Sequence, residues 1–597
     1  MAQRKWHEPK HKKSNIKCLT INDDTSSCIA PILLNRGMRL REEVQAYLYP
    51  ESMPVVDPYT EFTDLSIAVD IIQDCIDNNK KITICGDYDA DGMTSTAVLI
   101  RALRHCGAIV DYVIPSRMTD GYGVNERIVD ECSKDGTDTI ITVDNGISAK
   151  DACDWAVTLG MRVIITDHHD IPDELPLVHA ILNPKLLDEY SPYRSLAGVG
   201  VAYILAISVC ARLSKSQGIV KPLMELFTIG TIADMASLTG VNRRWVKRGL
   251  QYLAKSDVVG VQAILCCMNE YHKQRTGYPL DGMTPDTIGF KIAPRINAIG
   301  RIGNPQTVIE LLTTESSEVA YSLAVELEDC NEKRKVLCER IEREAIEVVE
   351  VFKKTDINRD RVICIAGDEW HHGVIGIVAS RLVERYGVPI FIATRTEEGE
   401  TIRGSARGIP GFNVYDCLHW CDDVLAKYGG HPMAGGFSML LKNWRYFTES
   451  CVGFARRTLK PTQIGTHITI DATILLTDID SNFVSQLKQL QPFGVGNSEP
   501  IFRANNVHIW EQKILGKGLK FSVWNSNSDN ATGFKAISWS LGERFPLPSW
   551  CDIVFKIKEN TFRGETSIQL EVIDFREITV GDLLDKRRKA TSLITTC

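Results

Sequence analysis

The chain has 597 residues, with 68 Lys and Arg against 76 Asp and Glu, a formal charge of −8. That length calls for several domains, and 44% hydrophobic with 24% charged residues excludes a mainly disordered or fibrous chain. The longest charge-free apolar stretch, residues 196–211, is shorter than the roughly 20 residues of a membrane-spanning helix, and the basic N-terminus lacks the apolar core of a secretory signal.

Eighteen cysteines are scattered singly, apart from the neighbours Cys266 and Cys267, and no CxxC occurs. That usage fits reduced, buried thiols in the cytoplasm better than a zinc ribbon or a disulfide scaffold. Cys417 and Cys421 stand one helical turn apart, as on a packed helix face. Mild net acidity does not mark a DNA-coating protein, yet local grooves of Lys and Arg decide nucleic-acid binding.

Residues 1–60 hold a basic arm and a short helix, RLREEVQAYLYP, closed by proline. Over 61–240 the runs ITIC, AIVDYVI, DTIITV, RVIIT and AILN alternate with helical patterns, which predicts βαβ units around a parallel sheet. Residues 241–355 read as helical. Their last part, 316–354, lacks Gly and Pro and keeps apolar positions at three-to-four spacing, so one long helix connects two domains. A second α/β unit fills 356–460: strand RVICIA, helix VIGIVASRLVERY, strand VPIFIA, then glycine-rich loops over 403–411 and 429–436. From 461 to 580 short alternating segments such as HIWEQKIL, LKFSVW, FKAISW, DIVFKI and SIQLEVI predict a small antiparallel barrel or sandwich, and 581–597 form a tail.

Three acidic clusters follow three predicted strands. ITIC is followed by GDYDADG with Asp87, Asp89 and Asp91, DTIITV by Asp144, and RVIIT by Asp167, His168 and His169. In an open parallel sheet the C-terminal strand ends converge on one crevice, so these groups share a rim. Crowded carboxylates repel unless cations neutralise them, and oxygen-rich ligation with imidazole suits Mn2+ or Mg2+. Two such ions sharing a carboxylate are the arrangement used to cut phosphate esters. Asp87 can equally be a turn former or helix cap. Asp234, in the apolar stretch IGTIADMASL, needs a partner, either a metal or an arginine such as Arg243 or Arg244.

GDYDADGMTST, TVDNGIS, TDHH and GTIADMASL, in that order, resemble the four motifs of the DHH phosphoesterase superfamily. IPSRMTDGYGVN, APRINAIGRIGNP, WHHGVIGIVASRLVERYGVP, GSARGIPGFNVYD, KYGGHPMAGGFS and QPFGVGNSEPIF narrow the resemblance to its RecJ branch, single-strand-specific DNA exonucleases. The resemblance implies a multidomain α/β fold: a parallel-sheet DHH catalytic domain, a long connecting helix, a DHH-associated phosphate-binding α/β domain and a small OB-like β-barrel. It implies a five-prime-to-three-prime exonuclease of recombination and repair with two Mn2+ or Mg2+ ions. Asp89 and Asp91 then hold one ion each, Asp144 bridges, His168 supplies the second ion's imidazole, Asp234 the last carboxylate, and His169 stands near the scissile phosphate. Arg403, Ser405, Arg407, Gly430 and His431 face the substrate backbone. Many superfamily members carry His where this chain has Cys85, either a buried strand thiol or a further ligand beside Asp87.

Arg295, Asn297 and Arg301 of APRINAIGR supply phosphate clamps. Trp510, Lys513, Lys517, Lys520, Phe521, Trp524 and Lys535 give the C-terminal unit a cationic, aromatic character suited to single-stranded bases, although barrel aromatics commonly form the core. The expected substrate is single-stranded DNA, acted on by a monomer beside a single-strand-binding protein and a helicase, away from membranes. Two alternatives stand beside it. One is a phosphoesterase for short oligoribonucleotides or cyclic dinucleotides; the other is a non-catalytic replication scaffold, against which the retained Asp89, Asp91, Asp144, His168 and Asp234 argue.

Overall fold

The computed structural model describes residues 4–8, 29–115, 123–276, 282–351, 357–396, 399–465, 467–516, 518–525, 533–562 and 565–578. Most of the basic arm, residues 116–122 of IPSRMTDGYGVN, Lys517 and the tail 581–597 lie outside them. The chain forms two compact units: Val55–Thr466 with Gly494–Asn497, and Gln3–Pro54 with His467–Phe493 and Ser498–Cys597.

The first unit begins with a five-stranded parallel sheet of β1 (Lys81–Cys85), β2 (Ile109–Val113), β3 (Thr137–Val143), β4 (Arg162–Thr166) and β5 (Ala180–Leu182), in the order β2-β1-β3-β4-β5. β1, β3 and β4 are buried on both faces along most of their length, which is why Ile, Val and Thr follow one another in them without the polar alternation of a half-solvated strand. Against the sheet pack α1 (Ala90–Cys106) and α2 (Gly198–Arg212), with α3 (Val220–Ala233) behind them. The Asp89 carboxylate caps α1, accepting from the Asp91 and Gly92 amides, and left-handed Gly107 ends it.

Two further helices tie this half of the unit to the next: α4 (Ala293–Ile302) and α5 (Ser317–Val351). With 35 residues and no helix breaker, α5 extends about 52 Å. Its Ala320, Ala324 and Leu327 join the core of the parallel-sheet half, and its Cys338, Ile341 and Ala345 pack with Val374, Ile375 and Val378 of α6 (His372–Tyr386). The long helix thus buries one end in each α/β half.

The second sheet holds β6 (Ile363–Gly367), β7 (Ile390–Arg395), β8 (Thr401–Arg407), β9 (Lys427–His431) and β10 (Ala434–Leu440), in the order β9-β10-β8-β7-β6. Only β6 and β7 are parallel within it. The segments expected as glycine-rich loops are therefore largely strands. Glycine serves close packing there: a Cβ on Gly404 would overlap the Phe437 ring of the neighbouring strand.

In the second unit, strands Phe502–Leu515, Gly518–Asn525, Phe534–Ser538, Trp550–Phe562 and Glu565–Glu577 close into a barrel, because the first also pairs with the fourth. Register shifts between Trp510 and Lys513, Ala504 and Val507, and Val554 and Phe555 bend the strands to allow closure. The N-terminal segment is built into this unit rather than standing apart. Lys5–His7 pairs with His467–Thr469, and Ile29, Ile32, Leu33 and Val44 enter the barrel's core. Phe521 is only 1% exposed and is a core residue, not a stacking platform. Trp524 Nε1 donates to His508 Nδ1 at 2.9 Å, and Lys535 pairs with Glu511 at 2.8 Å.

Candidate metal centre

In the first sheet the strand order reverses between β1 and β3, and an α/β sheet opens its ligand crevice at such a point. Asp87, Asp89 and Asp91 leave the end of β1, and Asp144 leaves β3 in the left-handed region at φ 59°. The Asp144 amide donates to Thr166 O at 2.9 Å, tying this turn to β4, from which Asp167, His168 and His169 follow. Gly198 lets α2 approach: an added Cβ would stand 2.7 Å from Asp144 Cβ. The α2 N-terminus holds Asp91, whose Oδ2 accepts from Gly198 N at 2.7 Å and Oδ1 from Val199 N at 2.8 Å.

Three overlapping groups result, each with donor atoms within 4.8 Å of one another: Asp91, His168 and Asp234; Asp144, His168 and His169; Asp87, Asp89 and Asp144. His168 Nε2 lies 3.0 Å from Asp144 Oδ1 and 3.7 Å from Asp91 Oδ2, while Nδ1 lies 3.9 Å from Asp234 Oδ2. Asp234 ends α3 and joins the acids instead of pairing with Arg243 or Arg244. Asp87 is inside the constellation. Cys85 is not: it packs with Cys132, Ile128 and Ile140 in a separate apolar cluster, which excludes it as a ligand.

Burial, reinforced by Asp89, raises the Asp91 carboxyl to about 7; burial and Asp91 raise Asp234 to about 9. Asp144 is pushed well up by burial and by Asp91. His168 is lowered to about 3 by burial and His169, so its imidazole is neutral and able to ligate. Acids held this far above their ordinary range, with a neutral imidazole among them, fit a hard divalent ion such as Mn2+ or Mg2+.

A prediction follows for metal-free protein. The folded chain binds the Asp91, Asp144 and Asp234 protons more tightly than the unfolded chain, so their stabilisation is lost as pH rises through the raised values. His168 acts in the opposite sense only below the ordinary imidazole value of 6.5. Thermal midpoints in EDTA should therefore fall from pH 7 to pH 9, the span of the two values above. Mn2+ at a hundredfold excess over its Kd should restore about 2.7 kcal/mol. A flat or rising metal-free midpoint, or no response to Mn2+, would contradict the crowding described.

His169 is oriented by Asp167, which was part of the sequence motif but had no assigned role. The imidazole Nδ1 sits 2.7 Å from Asp167 Oδ1, and Asp167 also accepts from the His168, His169 and Ile147 amides. Burial opposes His169 protonation, but the Asp167 hydrogen bond and charge prevail and raise its pKa. The ring stacks on His431 of β9 with centroids 5.9 Å apart, and His431 Nδ1 lies 3.6 Å from Asp170 Oδ2. The acid directly after TDHH was the overlooked signal.

APRINAIGR forms most of α4. Asn297 Oδ1 accepts from the Ala90 amide at 2.9 Å, and Arg301 Nη1 donates to Gly373 O at 3.0 Å. Arg295 is engaged elsewhere: its Nε and Nη2 donate to Glu328 at 2.5 and 3.0 Å, and its Nη1 to Lys291 O. The expectation of a clamp shared by Arg295 and Arg301 is thereby corrected. Six helical residues rotate by about 240°, which puts the two arginines on different faces. On β8, Arg403, Ser405 and Arg407 alternate onto one face, with Arg407 Nη1 3.2 Å from Ser405 Oγ. Helix α6 passes close at Gly376, where a Cβ would meet Ser405 Oγ at 2.9 Å. Gly430 sits in β9 at φ 144°.

Family models match three stretches: the DHH family N-terminal domain at 81–231, the DHHA1 domain at 359–445 and the RecJ OB domain at 470–574. The single-stranded-DNA-specific exonuclease RecJ of Bacillus subtilis is 32% identical over 594 residues, covering 99% of this chain and 73% of that protein. This chain belongs to the RecJ family. RecJ of Escherichia coli is 30% identical over 90% of this chain and 94% of its own. The crystal structure of Thermus thermophilus RecJ in complex with Mn2+ superposes with a TM-score of 0.80 at 26% identity, over 96% of this chain and 80% of that one. The same protein was also solved with Mg2+, at a TM-score of 0.74. The RecJ architecture of DHH domain, DHHA1 domain and OB barrel is thus present here. Among the described residues no helix is long and apolar enough to cross a membrane.

Proposed function

We propose that this chain is a metal-dependent exonuclease that removes nucleotides from the five-prime end of single-stranded DNA, with two Mn2+ or Mg2+ ions at the strand-end centre. The sharing of Asp144 and His168 between overlapping donor groups carries this reading. Divalent ions bound there neutralise the carboxylates, polarise the phosphodiester and lower the pKa of an attacking water. Asp89, Asp91, Asp144, His168 and Asp234 hold them, with Asp87 as a further donor. His169, kept protonated to higher pH by Asp167, offers positive charge to a phosphate oxygen. Asn297 braces the loop that carries the first acids, and Arg301, Arg403, Ser405, Arg407, Gly430 and His431 receive the strand backbone.

The described cysteines are free thiols, in keeping with a cytoplasmic enzyme. A monomer working beside a helicase and a single-strand-binding protein completes the assignment. End-labelled oligonucleotides test it. A five-prime label should leave at once as a mononucleotide, a three-prime label should remain on a shortening strand, and EDTA should stop both. Early release from the three-prime end, or hydrolysis in EDTA, would overturn it.

A further inference from the structure

Three thiols converge inside the second α/β half. Cys417 lies in the helix Val414–Trp420, Cys421 just past its end, and Cys451 in the helix Trp444–Thr458. Their sulfurs all lie within 4.8 Å of one another, with Cys421 Sγ 4.0 Å from Cys451 Sγ. Cys364 of β6, half-buried, stands beside Cys451 as a fourth. Among the described residues no other three cysteines gather in this way.

Spacing alone made Cys417 and Cys421 neighbours on a packed helix face. The fold brings them sulfur from 30 residues further along and from a strand of the adjoining sheet. Zinc binds thiolate at about 2.3 Å in a tetrahedron, which sets its sulfurs about 3.8 Å apart. The separation of Cys421 and Cys451 is close to that, and the C-x3-C spacing of Cys417 and Cys421 is one that zinc sites use. An all-sulfur donor group selects a thiophilic ion and not Mn2+ or Mg2+. Packing asks for less than this. The three thiols share a cluster with Phe412, Phe447 and Phe454, where a small side chain can simply fill space. Space-filling does not require sulfurs from separate elements to meet at one point.

We propose that Cys417, Cys421 and Cys451 form a structural site for one Zn2+ ion, with Cys364 completing the tetrahedron. The ion pins both helices to β6, the edge strand of the sheet that carries Arg403, Ser405 and Arg407. Cys417 and Cys451 have no exposed surface, so the ion enters while the chain folds. Each thiol releases its proton to solvent as its sulfur takes the metal. Burial and the neighbouring sulfurs hold the Cys451 thiol well above its ordinary range, a penalty on the thiolate that a bound cation reverses. None of these donors belongs to the strand-end centre, so the site stands apart from the nuclease reading.

The full chain, refolded with excess Mn2+ to fill the strand-end centre and one equivalent of Co2+ as a zinc probe, tests this. Tetrahedral sulfur ligation should give an intense near-ultraviolet sulfur-to-cobalt band that Zn2+ bleaches. The oxygen and nitrogen donors of the strand-end centre give no such band. Cys451→Ala, and Cys417→Ala combined with Cys421→Ala, should each weaken Co2+ binding about a hundredfold or more, as loss of a thiolate ligand implies. Cys266→Ala, at an exposed thiol elsewhere, should leave band and affinity unchanged. No sulfur band from the unaltered chain overturns the site, and so does an affinity unchanged in either variant. Should the variants fail to fold, zinc X-ray absorption on the unaltered chain decides. Sulfur neighbours at about 2.3 Å support the site, and a shell of oxygen and nitrogen alone overturns it.

Discussion

Asp144→Asn should lower turnover on single-stranded DNA about a thousandfold or more, the several kcal/mol that a metal site contributes to phosphate-ester cleavage. Asp144 lies nearer the His168 imidazole than Asp91 or Asp234 and belongs to two of the three donor groups. The amide keeps the side chain's shape but removes the charge that both groups share. The fold should survive for a specific reason: Asp144 occupies the left-handed region at φ 59°, which Asn tolerates better than most residues. Losing a carboxylate that burial and Asp91 already disfavour should hold or raise the metal-free thermal midpoint. Turnover within tenfold of the parent, in a protein with a normal midpoint, would remove Asp144 from the mechanism.

Gly300→Ala should cost about a hundredfold in turnover, the scale of a 1 Å misplacement of catalytic groups. A Cβ at position 300 would overlap the carbonyl oxygen of Tyr88, which lies between Asp87 and Asp89. Neither backbone can yield without moving α4 or the acid-bearing loop, and α4 also braces that loop through Asn297 and Ala90 N at 2.9 Å. Gly453→Ala, on a helix with open space around it, is the control and should keep full turnover. Parent-like kinetics in Gly300→Ala would show that the loop is not held by α4.

The parallel sheet and its acids were legible because both are local signals. Runs such as ITIC and DTIITV are apolar for lack of a solvated face, and each acid cluster directly follows its strand. The second sheet was legible in its first two strands and helix, whereas its glycine-rich strands passed for loops. Glycine carries no periodic signal, and the demand for it at Gly404 comes from Phe437 on another strand. The barrel's strands could be read from their alternation, but not which aromatics fill it: Phe521 is buried, whereas Trp510 on the neighbouring strand is only half-buried.

The sequence by itself determined the donor chemistry: carboxylates and imidazoles at three strand ends, in an order that resembles one superfamily. Only the tertiary structure decided which of those donors meet. It brought Asp87 and Asp234 to the others, sent Cys85 into an apolar cluster with Cys132, and turned Arg295 to Glu328 while Arg301 reached Gly373. It also placed Lys5–His7 beside His467–Thr469, more than 450 positions along the chain. The physical reason is one of range. Strand ends and helix periods are set by neighbours a few residues away, while the facing of a side chain, the closure of a barrel and the approach of α4 to Tyr88 depend on packing between segments that no local pattern records.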